Sequence, residues 1–290
     1  MNNTLKAIQV LVTAIDSGSF TRAGEILGYT QSNLTQMMKA FEDEAGFPLL
    51  IKTKRGVEPT QEALQLLPTM RAMLAQEEKF YQEIDGIRGI RRGTIRIGTF
   101  VSTSTSWLPQ LLSYFQENYP EVVFEVQESG QDDMERGLLD GSLDITLMSR
   151  PEKTSVDFIP LLDDPLLVVF SDEHDLGAYD YVPVSELAKH PMIMTYQSYD
   201  RDVRKIFDGA GFEPDVKYYF RDDFAVLTTV QYGLGIAVLP ELIIEKFPGN
   251  YDSRMLDPEA YRTLGIGIRS IKEAGPLARF VIDYLKKNVR

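Results

Sequence analysis

The chain has 290 residues, 43% hydrophobic, 25% charged and 10% aromatic; these are ordinary globular proportions that exclude wholesale disorder, and the length implies two or three domains. It has no Cys, which excludes disulfides, Cys-bound zinc, iron–sulfur clusters and thiol catalysis. With only two His, His174 and His190, a His-based metal site is not expected and no cofactor is called for. The net charge of −13 argues against nucleic acid as a partner, because phosphate backbones demand positive surface.

The first twenty residues are broken by Lys6, Gln9 and Asp16 and carry no cleavage-like site, so they do not read as a signal peptide. The longest clear apolar run, Leu166 to Phe170, is far short of the ~20 residues of a membrane span. A cytoplasmic protein without a membrane partner is expected. The charge is uneven. Residues 1–92 hold 11 Lys and Arg against 11 Asp and Glu, whereas residues 93–290 hold 19 against 32. The two parts therefore face different partners.

Leu5, Ile8, Leu11, Val12 and Ile15 follow the spacing of an amphipathic helix. Asp16-Ser17-Gly18 breaks it, and Ser19 caps a short second helix, Phe20 to Leu27. Gly28 turns the chain, and Thr30 caps a third helix from Gln31 to about Ala45, with Leu34, Met37, Met38 and Phe41 on its inner side. Helix, glycine turn and helix form a helix-turn-helix. The third helix opens on Gln31, Ser32, Asn33, Thr35 and Gln36, uncharged hydrogen-bonders suited to base edges in a major groove. A solvated polar face has the same composition, so both readings stay open on the helix alone. Two short extended pieces then flank a turn that carries Lys52, Lys54 and Arg55, a wing able to reach phosphates.

Residues 5–67 resemble the winged helix-turn-helix of LysR-type transcriptional regulators. The likeness rests on Ser19-Phe20-Thr21, Ala23, Leu27, Thr30-Gln31-Ser32, Thr35, Glu42, Gly46, Leu49 and Thr60. Gly24 departs from the family's usual second Ala, and Thr35, Phe41, Leu50, Lys52 and Ala63 are further departures. The resemblance implies a double-stranded DNA partner. It assigns DNA contact to Ser19, Thr21, Arg22, Thr30, Gln31, Ser32, Asn33, Thr35, Gln36 and Lys39, with Lys52, Lys54 and Arg55 from the wing.

Thr60 through Ile87 reads as one long helix. Ala63, Leu66, Met70, Met73, Glu77, Phe80, Ile84 and Ile87 are spaced 3-4-3-4-3-4-3, a coiled-coil seam with one polar member. Pro68 should kink the helix or mark its irregular start. The family uses this helix to dimerise, which places Leu66, Met70, Met73, Phe80 and Ile84 in a homodimer seam and implies a dimer of dimers. Residues 86–93, with three Arg and three Gly, read as a hinge-like linker.

From Thr94 short apolar runs alternate with helical stretches, the pattern of an α/β sheet. Strands are expected at 95–98, 122–127, 145–148, 166–171, 191–195, 217–220, 235–239 and 264–269. Helices are expected at 108–119, 132–140, 202–209, 224–232 and 276–287. The chain crosses to a second lobe near Leu166 and returns near Leu264. This part resembles the two-lobed, periplasmic-binding-protein-like effector domain of the same family. The likeness is carried by Thr94 to Gly98, Gly141-Ser142-Leu143-Asp144 and Gly233 to Pro240. The domains expected are 1–60, a winged helix-turn-helix; 61–92, a linker helix and hinge; and 93–290, the effector domain.

Ligands of open α/β lobes sit at strand carboxyl ends near helix N-termini. There Ser102 to Ser106, five hydroxyl residues in a row, form a loop able to hold an anion. The resemblance places a small metabolite, an anion among the candidates, against Ser102, Thr103, Ser104, Met148, Tyr196, Gln197, Ser198 and Ala225. Arg150 and Arg201 are candidate partners for its charge. No Ser/His/Asp arrangement is visible, and His174 is a structural residue on this reading. The competing reading is an enzyme or solute-binding protein with a helical dimerisation arm, which needs no base-reading helix.

Overall fold

A computed structural model describes residues 3–53, 56–87, 92–152, 156–196 and 200–289. They fall into two compact units that divide near residue 90. Among the described residues, no helix is long and apolar enough to cross a membrane.

The first unit contains α1 (Asn3–Ser17), α2 (Phe20–Leu27), α3 (Gln31–Ala45), β1 (Leu50–Thr53), β2 (Gly56–Pro59) and α4 (Gln61–Ile87). Its caps are the expected ones. The Ser19 hydroxyl accepts from the Arg22 N–H and the Thr30 hydroxyl from the Asn33 N–H, so each satisfies a helix-end donor. Gly28 and Gly46 end α2 and α3 in left-handed conformation. Val10, Leu11, Leu34, Met38, Leu49, Ala63, Leu67 and Met70 build the core. The departure at Gly24 has a steric cause. A Cβ there would stand 2.9 Å from the Tyr29 carbonyl oxygen and 3.1 Å from Leu34 Cδ1, so the α2–α3 turn leaves no room for the family's Ala.

The hairpin β1–β2 pairs Leu50 with Pro59 and Thr53 with Gly56 in antiparallel register. One carboxylate holds its entry, since Glu42 accepts from the N–H groups of both Leu49 and Leu50, at 2.7 and 3.2 Å. Lys54 and Arg55 lie outside the described residues.

α4 runs from Gln61 to Ile87 with Pro68 inside it, where the N–H that proline lacks is lost from the hydrogen-bond ladder. The seam divides in two. Ala63 and Met70 are buried in the unit's own core, which corrects the assignment of Met70 to a dimer surface: α4 packs against α1 and β2. Leu66, Met73, Phe80 and Ile87 are exposed, and Ile84 is half-buried.

The second unit opens with β3 (Gly93–Thr99), α5 (Val101–Ser106), α6 (Leu108–Asn118), β4 (Val122–Glu128), α7 (Gln131–Asp140) and β5 (Ile145–Ser149). It continues with β6 (Asp157–Ser171), β7 (Tyr181–Pro183), β8 (Met192–Thr195), α8 (Arg201–Ala210), β9 (Val216–Phe220) and α9 (Asp223–Gln231). It closes with β10 (Ala237–Pro240), α10 (Glu241–Ile244), β11 (Tyr251–Asp257), β12 (Tyr261–Ile268) and α11 (Pro276–Asn288). The strand order is β4-β3-β5-β12-β6-β11-β7, with β10 also on β6 and a separate β8–β9 pair. β4, β3 and β5 are parallel, and β12 runs antiparallel to both β5 and β6.

The 15-residue β6 builds both lobes. Its first part, from Asp157 to Pro165, pairs with β12; its second, from Leu166 to Ser171, pairs with β10 and β11. The lobe change at Leu166 and the return through β12 are as expected. The first half of β6 was not anticipated, because Asp157, Pro160, Asp163, Asp164 and Pro165 are turn residues by type. β11 was missed as well: its Asp252, Ser253 and Arg254 mask the strand pattern. β5 is buried along its whole length, as a central parallel strand should be. The hydroxyl run at 102–106 is a correction. It forms the helix α5 rather than a loop, because Ser104 and Thr105 return their hydroxyls to the carbonyls of Val101 and Ser102.

Candidate functional site

Two sites were expected, one in each unit. On α3, Gln31, Ser32, Asn33, Thr35, Gln36 and Lys39 are all exposed, while Leu34 and Met38 between them are buried. Ser32, Thr35, Gln36 and Lys39 stand at i, i+3, i+4 and i+7 and form one stripe. The Thr35 hydroxyl donates to the Gln31 carbonyl at 2.8 Å, which leaves its methyl and oxygen lone pairs outward. Thr21 and Arg22 are exposed at the start of α2, beside the capping Ser19, and Lys52 is exposed on β1. Gly56 keeps the wing against this region. The Val57 N–H donates to the Gly18 carbonyl at 3.1 Å, and a Cβ on Gly56 (φ 141°) would stand 2.1 Å from that oxygen.

In the second unit a cleft lies between the lobes. Val101 and Ser102 of α5, Gln131 of α7, Thr195, Arg201, Arg221, Asp223 and Arg262 line it, with Leu166, Val238 and Pro240 as apolar wall. Arg262 is buried and holds Asp164 through Nε and Nη2, at 2.9 and 2.6 Å, while Nη2 also donates to the Ser102 hydroxyl at 2.8 Å. Asp164 additionally accepts from the Leu242 N–H. This network ties α5, β6, α10 and β12 together at the crossover. Arg201 is paired with Asp132 and Glu135. Among the described residues, no hydrogen-bond or ion-pair partner is recorded for the Arg221 guanidinium, and the buried Gln131 Oε1 has no partner.

Burial pushes the Asp223 carboxyl up to about 6; Arg262 pulls it down and Asp222 adds to the rise. A carboxyl whose folded pKa exceeds its unfolded value binds more protons when folded, so it costs stability as pH rises from about 4 to about 6. Asp223→Asn is therefore expected to stabilise the protein at pH 7 by on the order of 2–3 kcal/mol and to change little below pH 4. Urea unfolding of both forms across this range is the check; parallel pH profiles would contradict it.

Only Ser102 of the effector residues expected from sequence lines the cleft. The Thr103 hydroxyl is fully buried against Thr99, at 2.6 Å, so it faces the core. Ser104 is turned to Glu128. Met148 is buried, its sulfur accepting from Thr146. These three are corrected: the helical α5 turns Thr103 and Ser104 away from the cleft, and Met148 is on β5, whose whole length is buried. Tyr196 and Ala225 do not line the cleft; Tyr196 follows the lining Thr195 and its ring meets that of Tyr219. Gln197 and Ser198 lie outside the described residues. Sequence reasoning missed Gln131, Arg221 and Arg262, although Arg201 was a candidate. Nothing local marks the three missed residues, because each is brought in by topology.

The LysR substrate binding domain model matches residues 88–290, and the bacterial regulatory helix-turn-helix model of the lysR family matches residues 5–64. The chain belongs to the LysR family of DNA-binding transcriptional regulators. It is 29% identical over 287 residues to the uncharacterized HTH-type transcriptional regulator YvbU of Bacillus subtilis, covering 98% of each chain. The fold is also similar to full-length CbnR complexed with target DNA (TM-score 0.65, 17% identity, 98% of this chain and 99% of that one). The effector-binding domain of QuiR in complex with shikimate matches as well (TM-score 0.61, 19% identity, 69% and 100%). These relatives are transcriptional regulators, so the reading as an enzyme or solute-binding protein is set aside.

Proposed function

We propose that this regulator reads operator DNA through α3 and senses a small anionic metabolite in the interlobe cleft. The observation that carries the first half is the stripe of Ser32, Thr35, Gln36 and Lys39, exposed together on a helix whose opposite side buries Leu34 and Met38. Gln31, Asn33 and Gln36 offer side chains of the right length for bases. Ser19, Thr21, Arg22 and Thr30 sit where a phosphate passes the start of α2 and α3, and Lys52, Lys54 and Arg55 reach the backbone from the wing. On this reading residues 1–60 bind DNA, 61–92 dimerise and connect, and 93–290 sense. Two copies paired through Leu66, Met73, Phe80 and Ile84 present two reading helices to a two-fold operator. Pairs of such dimers complete the assembly, which works in the cytoplasm.

The sensor half rests on the two unsatisfied groups of the cleft. Arg201 and Arg262 are already neutralised, which leaves Arg221 for a carboxylate or comparable anion. Gln131 Oε1 asks for a hydroxyl or amine on the same molecule. A small hydroxylated carboxylate has both, and shikimate in QuiR is of this kind. The cleft, about 40 Å3, admits little more than water, so the lobes must part about β6 and β12 for a metabolite to enter.

The test is DNA binding by the full chain to its own upstream sequence at two salt concentrations. Gln36→Ala is expected to relax preference at one base pair by about 1–3 kcal/mol. Lys52→Ala should instead weaken all sequences alike and reduce the salt slope by about 1. The reverse partition would sink the assignment of helix and wing.

A further inference from the structure

We propose that His174, Asp175 and His190 bind one divalent transition-metal ion of the zinc type on the second lobe. These are the only two histidines in the chain, they are sixteen residues apart, and the structure brings their rings to 4.8 Å between centroids. One ligand atom from each of the three residues lies within 4.8 Å of the others. A tetrahedral ion with bonds of about 2.0–2.1 Å holds its donors roughly 3.3 Å apart, a closure within reach of side-chain rotation. This departs from the expectation that two histidines are too few for a metal site.

The scaffold is firm where the donors attach. His174 opens the 3₁₀ turn Asp175–Ala178, its Nδ1 accepting from the Leu176 N–H at 3.2 Å. His190 ends the 3₁₀ turn Val184–Lys189, its N–H donating to the Leu187 carbonyl. Leu176, Val182 and Leu187 beneath them are buried. The Asp175 carboxylate stands 2.9 Å from the same His174 Nδ1 that accepts from Leu176. Because the Nδ1 lone pair is already turned to the Leu176 N–H, Nε2 is the His174 nitrogen left to bind an ion.

The surroundings suit a cation. Residues 171–190 hold Asp172, Glu173, Asp175, Asp180 and Glu186 against one cation, Lys189, which is paired with Glu186. His174 is partly enclosed, while the Asp175 side chain is 83% exposed and gives the ion a path in. Two imidazoles with one carboxylate favour zinc, copper or nickel over magnesium or calcium, which take all-oxygen sites. Three protein donors leave the fourth position to water. None of the three residues lines the interlobe cleft, so the site is separate from the effector site and does not depend on it.

Zinc chloride titrated into the untagged full chain tests this, by calorimetry and by the imidazole proton–nitrogen NMR spectrum, which contains two spin systems only. One ion per chain is expected, with both imidazoles shifted. Asp175→Asn, an exposed change that leaves the fold intact, and His190→Gln should each weaken binding by more than about tenfold. If neither imidazole moves at millimolar zinc, or if both variants bind zinc as tightly as the parent, the proposal is overturned.

Discussion

Arg262→Ala is expected to destabilise the second unit by about 3–5 kcal/mol, a large share of any domain's stability. The Arg262 side chain is buried, and among the described residues it alone neutralises Asp164, whose side chain is 1% exposed. Removing the guanidinium strands a carboxylate in the interior and also frees the Ser102 hydroxyl. The cost comes from the unpaired charge and not from any great worth of the pair itself. The double variant Asp164→Leu, Arg262→Met should therefore recover most of the loss. Urea unfolding followed in the second unit separates the cases. A single variant as stable as the parent would mean that water reaches Asp164.

Phe80→Glu is expected to weaken self-association by more than about 100-fold, since burying an uncompensated carboxylate in an apolar seam costs several kcal/mol. Phe80 is 58% exposed in the single chain, so the thermal stability of the protomer should hardly change. Met70→Glu is the contrasting variant. Met70 belongs to the unit's own core, and a charge there should unfold that unit. Sedimentation velocity with thermal melts distinguishes them. If the Phe80 variant associates as tightly as the parent, α4 does not carry the dimer.

Much of the first unit was legible because its signals are local. Ser19, Thr30 and Gly28 mark helix ends by chemistry that acts within four residues, and all three do so in the structure. The 3-4 seam of α4 was legible too, but not which part of it stays exposed: spacing puts Ala63, Leu66, Met70 and Met73 on one face, and the packing of α1 and β2 on α4 decides which of them are covered. In the second unit, strands with apolar runs were found, whereas the first half of β6 and β11 were hidden by polar residues that a paired strand tolerates. The cleft was the least legible. Ser102 and Arg262 are 160 residues apart in sequence, and no periodicity couples them. The hydroxyl run drew attention to the right place, yet helix α5 turns most of it inward and leaves one hydroxyl in the cleft.

The strand order of the second unit also sets a sequence in time. β12, formed near the C-terminal end, stands between β5 and β6, so the first lobe's sheet stays split until residues 261–268 have left the ribosome. The core of the first unit needs nothing beyond Leu74. At about 5–20 residues per second, roughly 10–40 s separate the emergence of α4 from that of α11. During that interval the nascent chain carries a finished DNA-reading head on a sensor that cannot yet close, and truncation between the end of α4 and β12 should produce a chain that reads DNA but responds to nothing.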